Sequence, residues 1–145
     1  MTDVTVAVAD LARFCHRTGD IDHRFSPSPT GEQGIAAHQR LYRRRPASYV
    51  SEFPVEHIHR EAGLVLKLRG RADGYDPDLA YVEEIKTCRI DPGSVPESVS
   101  RSHLAQARLY AALITQQEGL DHLQVRLTWF NIDSEQEISL EERWT

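Results

Sequence analysis

The sequence predicts an α/β domain: a mixed, mostly antiparallel central sheet flanked by helices, in the element order ααβββαββ. Three observations lead there. Apolar residues recur at helical spacing in some stretches and alternate with a period of two in others, the patterns of an amphipathic helix and of a half-buried strand. The breaks between stretches are rich in Gly, Pro, Asp and Ser, as at 26–31 (SPSPTG), 76–78 (DPD) and 91–98 (DPGSVPES). A chain of 145 residues suffices for one hydrophobic core and is too short for two, so 1–145 reads as a single domain without internal repeats.

The first helix is expected over 3–17, where Val4, Val8, Leu11, Ala12 and Cys15 share a face and Thr18-Gly19-Asp20 supplies a stop. A second runs from Gly31 or Glu32 to Arg45. It has Ile35, His38, Leu41 and Tyr42 on its apolar face, Arg40, Arg43 and Arg44 largely off it, and Pro46 at its end. From Ser48 the period becomes two, through Tyr49, Ser51, Phe53 and Val55 to Ile58, and Arg60-Glu61-Ala62-Gly63 connects this strand to a second over 64–73. After the Asp76-Pro77-Asp78 turn a third strand over 80–87 completes an antiparallel meander. Residues 100–118 form the most regular helix, carrying Leu104, Ala107, Leu109, Ala111, Leu113 and Ile114 to a Gly119 stop. Strands over 124–132 and 136–142 close the chain, the last so charged that it belongs at a sheet edge.

Composition removes several classes. Apolar residues make up 40% and charged residues 27%, ordinary for a globular domain. No apolar run approaches the roughly 20 residues that span a bilayer. Asp3 and Asp10 stand where a secretory leader would be basic and then unbroken apolar, so a cytoplasmic location is expected. Two cysteines, Cys15 and Cys88, are too few for a disulfide framework or for a four-thiolate zinc or iron–sulfur site. A net charge of −5 argues against coating nucleic acid by bulk electrostatics. It leaves room for a nuclease, whose cleft needs carboxylates to gather divalent cations while a few local arginines touch phosphate.

The chemistry concentrates in Gly70-Arg71-Ala72-Asp73-Gly74 and Glu84-Ile85-Lys86, on neighbouring strands. Strand alternation puts Val82, Glu84 and Lys86 on one face and Tyr81, Glu83 and Ile85 on the other. Glu84 and Lys86 therefore emerge together, and Asp73 can reach them from the adjacent strand. Two carboxylates with the Ile85 carbonyl suit Mg²⁺ or Mn²⁺, and Lys86, one of only two lysines, can orient water or steady phosphate charge. On a bland reading the same residues are a surface ion pair on a sheet. His38 is either a packed core histidine or a further metal ligand. Gln106 and Tyr110 share a helix face with His103, and could bind the active-site strand, a phosphate or a stacked base, or form a buried polar seam. Glu56 is a weaker acidic candidate.

Gly70-x-x-Asp73 followed by Glu84-Ile85-Lys86 resembles the core of the PD-(D/E)XK nucleases. Gly34-Ile35-Ala36-Ala37-His38 and Gln106-Ala107-Arg108-Leu109-Tyr110 are similar to the G-x-x-x-H and Q-x-x-x-Y elements of the RecB-like branch, and all four motifs occur in family order over 34–110. Across most of the chain the sequence is similar to the nuclease-like domain at the N-terminus of bacterial DinG/XPD-like helicases, including TGDIDHRF at 18–25. The resemblance implies a restriction-endonuclease-like core and Mg²⁺- or Mn²⁺-dependent hydrolysis of DNA, single strands or ends preferred, in repair or processing. It implies that His38, Asp73, Glu84 and the Ile85 carbonyl hold metal, that Lys86 assists the attacking water, and that Gln106 and Tyr110 orient site and substrate. A helicase is the implied partner. The chain has no P-loop of its own, and its two cysteines depart from relatives that carry an iron–sulfur cluster, so no such cluster is expected.

Arg40, Arg43, Arg44 and Arg45 form the densest basic cluster, with Arg69, Arg71 and Arg89 flanking the motif strands. Arg40, Arg44 and Arg71, with Tyr110, are the candidate DNA contacts; a solvated helix end is the alternative for the cluster. The rival function is a catalytically weak module that keeps the fold and guides DNA to a helicase. A second rival is a metal hydrolase acting on nucleotides or RNA. The charged last strand could pair with that of a second copy across a two-fold axis.

Overall fold

Six strands form one mixed sheet in a computed structural model that describes residues 2–15 and 31–145. In chain order the elements are β1 (Thr2–Ala7), α1 (Val8–Cys15), α2 (Gly31–Tyr42), β2 (Val50–Glu61), β3 (Leu64–Asp76), β4 (Tyr81–Cys88), α3 (Glu97–Glu118), β5 (Leu123–Asn131) and β6 (Glu137–Trp144). The α/β class and the helix-flanked mixed sheet are those the periodicity predicts. The expected Gly19 stop, the loop at 26–30 and the TGDIDHRF stretch lie outside the described residues.

The first element departs from expectation. Instead of one helix over 3–17, Thr2–Ala7 is a strand parallel to β3, and the helix begins at Val8. The TDVTVA run is rich in β-branched residues, and a strand lets those stiff side chains pack against a sheet where a helix would crowd them. The helical spacing of Val4 and Val8 was accidental. Other boundaries move by a few residues, and Ile35, expected in the core, is 67% exposed because α2 buries Ala37 and Leu41 instead.

β3 organises the sheet. β2 pairs with it antiparallel along one edge, from Glu61↔Leu64 to Val50↔Tyr75, through a turn with Ala62 and Gly63 both at positive φ. Its other edge is shared. β1 takes Leu64 to Arg69 and β4 takes only Gly74 to Asp76, so Gly70 to Asp73 have no strand partner on that side. β4 continues instead with β5 in parallel, from Tyr81↔Gln124 to Cys88↔Asn131, and β6 closes the far edge, as its charge predicted.

The helices divide between the faces. α1 and α3 cover one, where Val8, Leu68, Ala72, Tyr75, Val82, Ala107, Tyr110 and Ile114 form the main core. Each fully buried aliphatic side chain there contributes about 1.5–3 kcal/mol. α2 covers Ile85, Phe130 and Ile132 on the opposite face. α3 ends on Gly119 in the left-handed conformation, as its Gly stop predicted, and Arg108 ion-pairs with Glu142 to tie α3 to β6. Among the described residues no helix is long and apolar enough to cross a membrane.

Candidate active site

β3 and β4 share three residue pairs, Gly74↔Glu83, Tyr75↔Val82 and Asp76↔Tyr81, and then separate. The turn below this fork is fixed by Asp76, whose Oδ1 accepts from the main-chain N–H groups of Asp78 and Leu79 and whose carboxylate accepts from Ser48 Oγ at 2.8 Å. Asp73 and Glu84 are the first residues past the fork, one on each prong. No main-chain ladder fills the gap, so side chains do. Asp73 Oδ2 accepts the Ile85 N–H at 2.7 Å, and the Asp73 and Glu84 carboxyls are hydrogen-bonded to each other. In a strand the N–H and C=O of one residue point to the same edge, so the Ile85 carbonyl also faces the gap.

The two faces meet here. His38, on α2, brings Nδ1 to 3.7 Å from Asp73 Oδ1. Lys86, on the α3 face, brings Nζ to 3.2 Å from Glu84 Oε1. His38, Asp73 and Lys86 are 25%, 20% and 28% exposed, whereas Glu84 is only 5% exposed, so the site opens to solvent past the first three. Burial raises the pKa of both carboxyls; the Asp73 charge adds to the rise at Glu84, while His38, the Ile85 N–H and Lys86 oppose it at Asp73. Among the described residues no three His, Cys, Asp or Glu side chains stand in one ligand shell; Asp73 and Glu84 turn toward each other.

Both motif glycines have a steric reason. A Cβ on Gly70 would lie 3.0 Å from Tyr110 Oη and 3.1 Å from Val8, so α1 and α3 would have to give by a few tenths of an ångström to stay packed on β3. A Cβ on Gly74 would fall 1.7 Å from Tyr49 Oη, which crosses above it to donate to Glu83 Oε1 at 2.8 Å. Tyr110 is 4% exposed and fills the unpaired stretch between β1 and β4, its hydroxyl hydrogen-bonded with the Gln106 amide and the Arg71 main chain. Burial and the nearby Glu84 charge push its pKa up to about 12. Of the roles open to Tyr110, this burial fits contact with the active-site strand or a buried polar seam better than stacking on a DNA base.

The remaining expectations divide. Arg40 approaches Glu135, Arg44 pairs with Glu135 and Glu137, and both guanidiniums lie over the Phe130 ring. Both are surface pairs beside α2, each arginine side chain 39% exposed, so the two expected DNA contacts have acidic partners within the protein while staying at its surface. Arg71 is exposed on β3, two residues before Asp73. Glu56 pairs with Arg69 on the outer sheet surface, away from the fork. Two further side chains line the site. Tyr42 stacks edge-on against His38, with its pKa raised by burial and then by Asp73. His103 packs edge-on against Trp129, and burial with the nearby Lys86 charge pushes its pKa down to about 4, so it is neutral at pH 7. The three- and four-residue spacing of His103, Gln106 and Tyr110 was the signal for the latter.

No protein-family model matches the sequence, and no curated protein matches it. Among solved structures, the crystal structure of SSO0001 is similar with a TM-score of 0.63, over 97% of this chain and 68% of that chain, at 21% identity. At that identity the likeness carries the fold alone.

Proposed function

We propose that the fork is the active site of a deoxyribonuclease of the PD-(D/E)XK kind, dependent on Mg²⁺ or Mn²⁺. The observation that supports it most is the meeting of Asp73, Glu84 and Lys86 in a gap of the sheet where main-chain pairing stops. Two carboxyls and a main-chain carbonyl are the oxygen donors that Mg²⁺ or Mn²⁺ takes, and the one imidazole, a borderline nitrogen donor, suits Mn²⁺ better than Mg²⁺. Burial makes those carboxyls poor anions unless a cation compensates them.

Bound there, the cation would withdraw charge from a phosphate oxygen and acidify water. The other contributions belong to the chain. Asp73, Glu84, His38 and the Ile85 carbonyl are the groups that would hold it. Lys86 has ammonium protons left over from its Glu84 contact and aims them at a phosphate oxygen as charge builds in the transition state. Neutral His103 adds no competing charge beside it. Gln106 and Tyr110 hold β3, and with it Asp73, at the right separation from β4. The same reading assigns DNA ends or single strands as substrate, a cytoplasmic setting, and repair or processing work beside a helicase.

End-labelled single- and double-stranded DNA, incubated with Mg²⁺, with Mn²⁺ or with chelator, tests the reading. Wild type should give metal-dependent products that disappear in Asp73→Ala. Binding without cutting under any metal would overturn it in favour of the DNA-guiding module.

Stability should report the same carboxyls. Their folded pKa values lie above the ordinary 3.8 and 4.5, so their protonated forms favour the fold and that contribution falls as pH rises from the ordinary carboxyl range through the raised values. In chelator, the thermal midpoint should therefore decline as pH rises across that window. Mg²⁺ or Mn²⁺ should raise it more at high pH than at low, because cation replaces proton. Equal increments at both ends, read by differential scanning fluorimetry, would contradict a cation held by Asp73 and Glu84.

A further inference from the structure

The outward surface of β2 and β3 has no part in the chemistry just described. Leu68 and Ala72 face the main core and Gly70 lies against Val8 and Tyr110, so the alternate residues Lys67, Arg69 and Arg71 point the other way. The next residue in that row is Asp73, which reaches His38 of α2 on the same side. α2 lies over β4 and β5, and among the described residues no helix covers this part of β2 and β3. A groove of about 340 Å³ runs here, lined by Pro54, Val55, Glu56, Arg69, Gly70 and Arg71.

We propose that this groove is a track for the backbone of a single-stranded polynucleotide, with Arg69 and Arg71 gripping successive phosphates and the strand leading to Asp73. The inference rests on the nuclease reading only for what happens at the end of the track. Three features support it. Residues two apart on a strand are about 6.5–7 Å apart, close to the repeat of successive phosphates in an extended single strand. Beside Arg69 and Arg71 the basic row is one residue wide: their β2 neighbours are Glu56 and Pro54, and the nearest basic residue of that β2 column, Arg60, stands farther along opposite Val65, so these two arginines have no second row beside them for the opposite backbone of a duplex. The cations are available. Arg69 is 66% exposed and its pairing with Glu56, itself 49% exposed, is weak enough for a phosphate to displace. Arg71 has no acidic partner among the described residues, in contrast to Arg40, Arg44 and Arg45. The row offers no aromatic ring, so recognition should run through the backbone, indifferent to base and sensitive to salt.

Fluorescence anisotropy in chelator, where cutting cannot interfere, tests this with dT and rU oligomers of about 12 nucleotides and a duplex of the same length. The paired substitution Arg69→Gln with Arg71→Gln should weaken dT binding about tenfold at low salt. It should also reduce the log–log salt slope by about 1.4, about 0.7 for each phosphate no longer neutralised. Removing the same charge elsewhere, by Arg101→Gln with Arg143→Gln, should change affinity less than about threefold. The dT and rU arms tell which sugar the track accepts. Equal losses in the two paired variants, or a duplex bound as tightly as the single strand, would overturn the track. A protein that cuts DNA yet binds dT equally well without Arg69 and Arg71 loses the track and keeps the chemistry; one that loses binding with them but never cuts keeps the track and loses the chemistry.

Discussion

Lys86→Ala should slow metal-dependent DNA cleavage by roughly 10²–10³, the loss that follows removal of one transition-state donor. Lys86 is more than a quarter exposed, but its partner Glu84 is only 5% exposed, so removing the ammonium also destabilises the fold unless Glu84 takes up a proton. Without it, Glu84 stays buried beside Asp73 and shares a proton more readily. The effect should appear in kcat at saturating DNA, because the ammonium meets phosphate charge that develops only in the transition state. Lys86→Met separates the ammonium from the aliphatic stem, and Lys86→Arg should restore little, since a planar fork does not replace a compact point charge. Single-turnover cleavage in Mn²⁺ reads all three. Wild-type rates in Lys86→Met would reduce Lys86 to a counter-charge for Glu84.

How much of this was legible beforehand varies with the range of the interaction. The alternation in 80–87 was enough to put Glu84 and Lys86 on one face, because strand periodicity is local. The fork itself was harder to read. It depends on β1 occupying the part of β3 that β4 leaves, and β1 was hidden in a run where Val4 and Val8 happen to share helical spacing with Leu11 and Ala12. Gly70 and Gly74 were visible as motif letters. Their reasons, the Tyr110 and Tyr49 hydroxyls, come from segments 40 and 25 residues away and no local pattern encodes them. The arginine cluster was hard to read for a similar reason. The acidic partners of Arg44 and Arg45, which are Glu83, Glu135 and Glu137, lie far along the chain, and only folding brings them to these two side chains.

Those partners define the largest expected loss of stability. Arg45→Met should cost about 3–5 kcal/mol, because it strands a buried carboxylate. Glu83 is fully buried and its acceptors are filled: Arg45 grips both oxygens at 2.9 Å, Tyr49 donates to Oε1 at 2.8 Å, and Thr128 donates to Oε2 at 2.5 Å. Arg45, itself 9% exposed, extends the network to Glu137 at 3.0 Å, joining α2's trailing turn to β4 and β6. Take away the guanidinium and Glu83 must hold an uncompensated charge or capture a proton. Combining Arg45→Met with Glu83→Gln should recover much of the loss, since a neutral amide can still bond to Tyr49 and Thr128, and the difference from additivity measures the coupling. Glu83 pairs with Gly74 at the base of the fork, next to Glu84. The single variant should therefore lose cleavage at temperatures below its own midpoint, as Asp73 and Glu84 drift apart, and the double variant should regain it. Urea melts and cleavage assays on the same four proteins check both halves; equal stability loss in the single and double variants would show that the pair does not hold the fork.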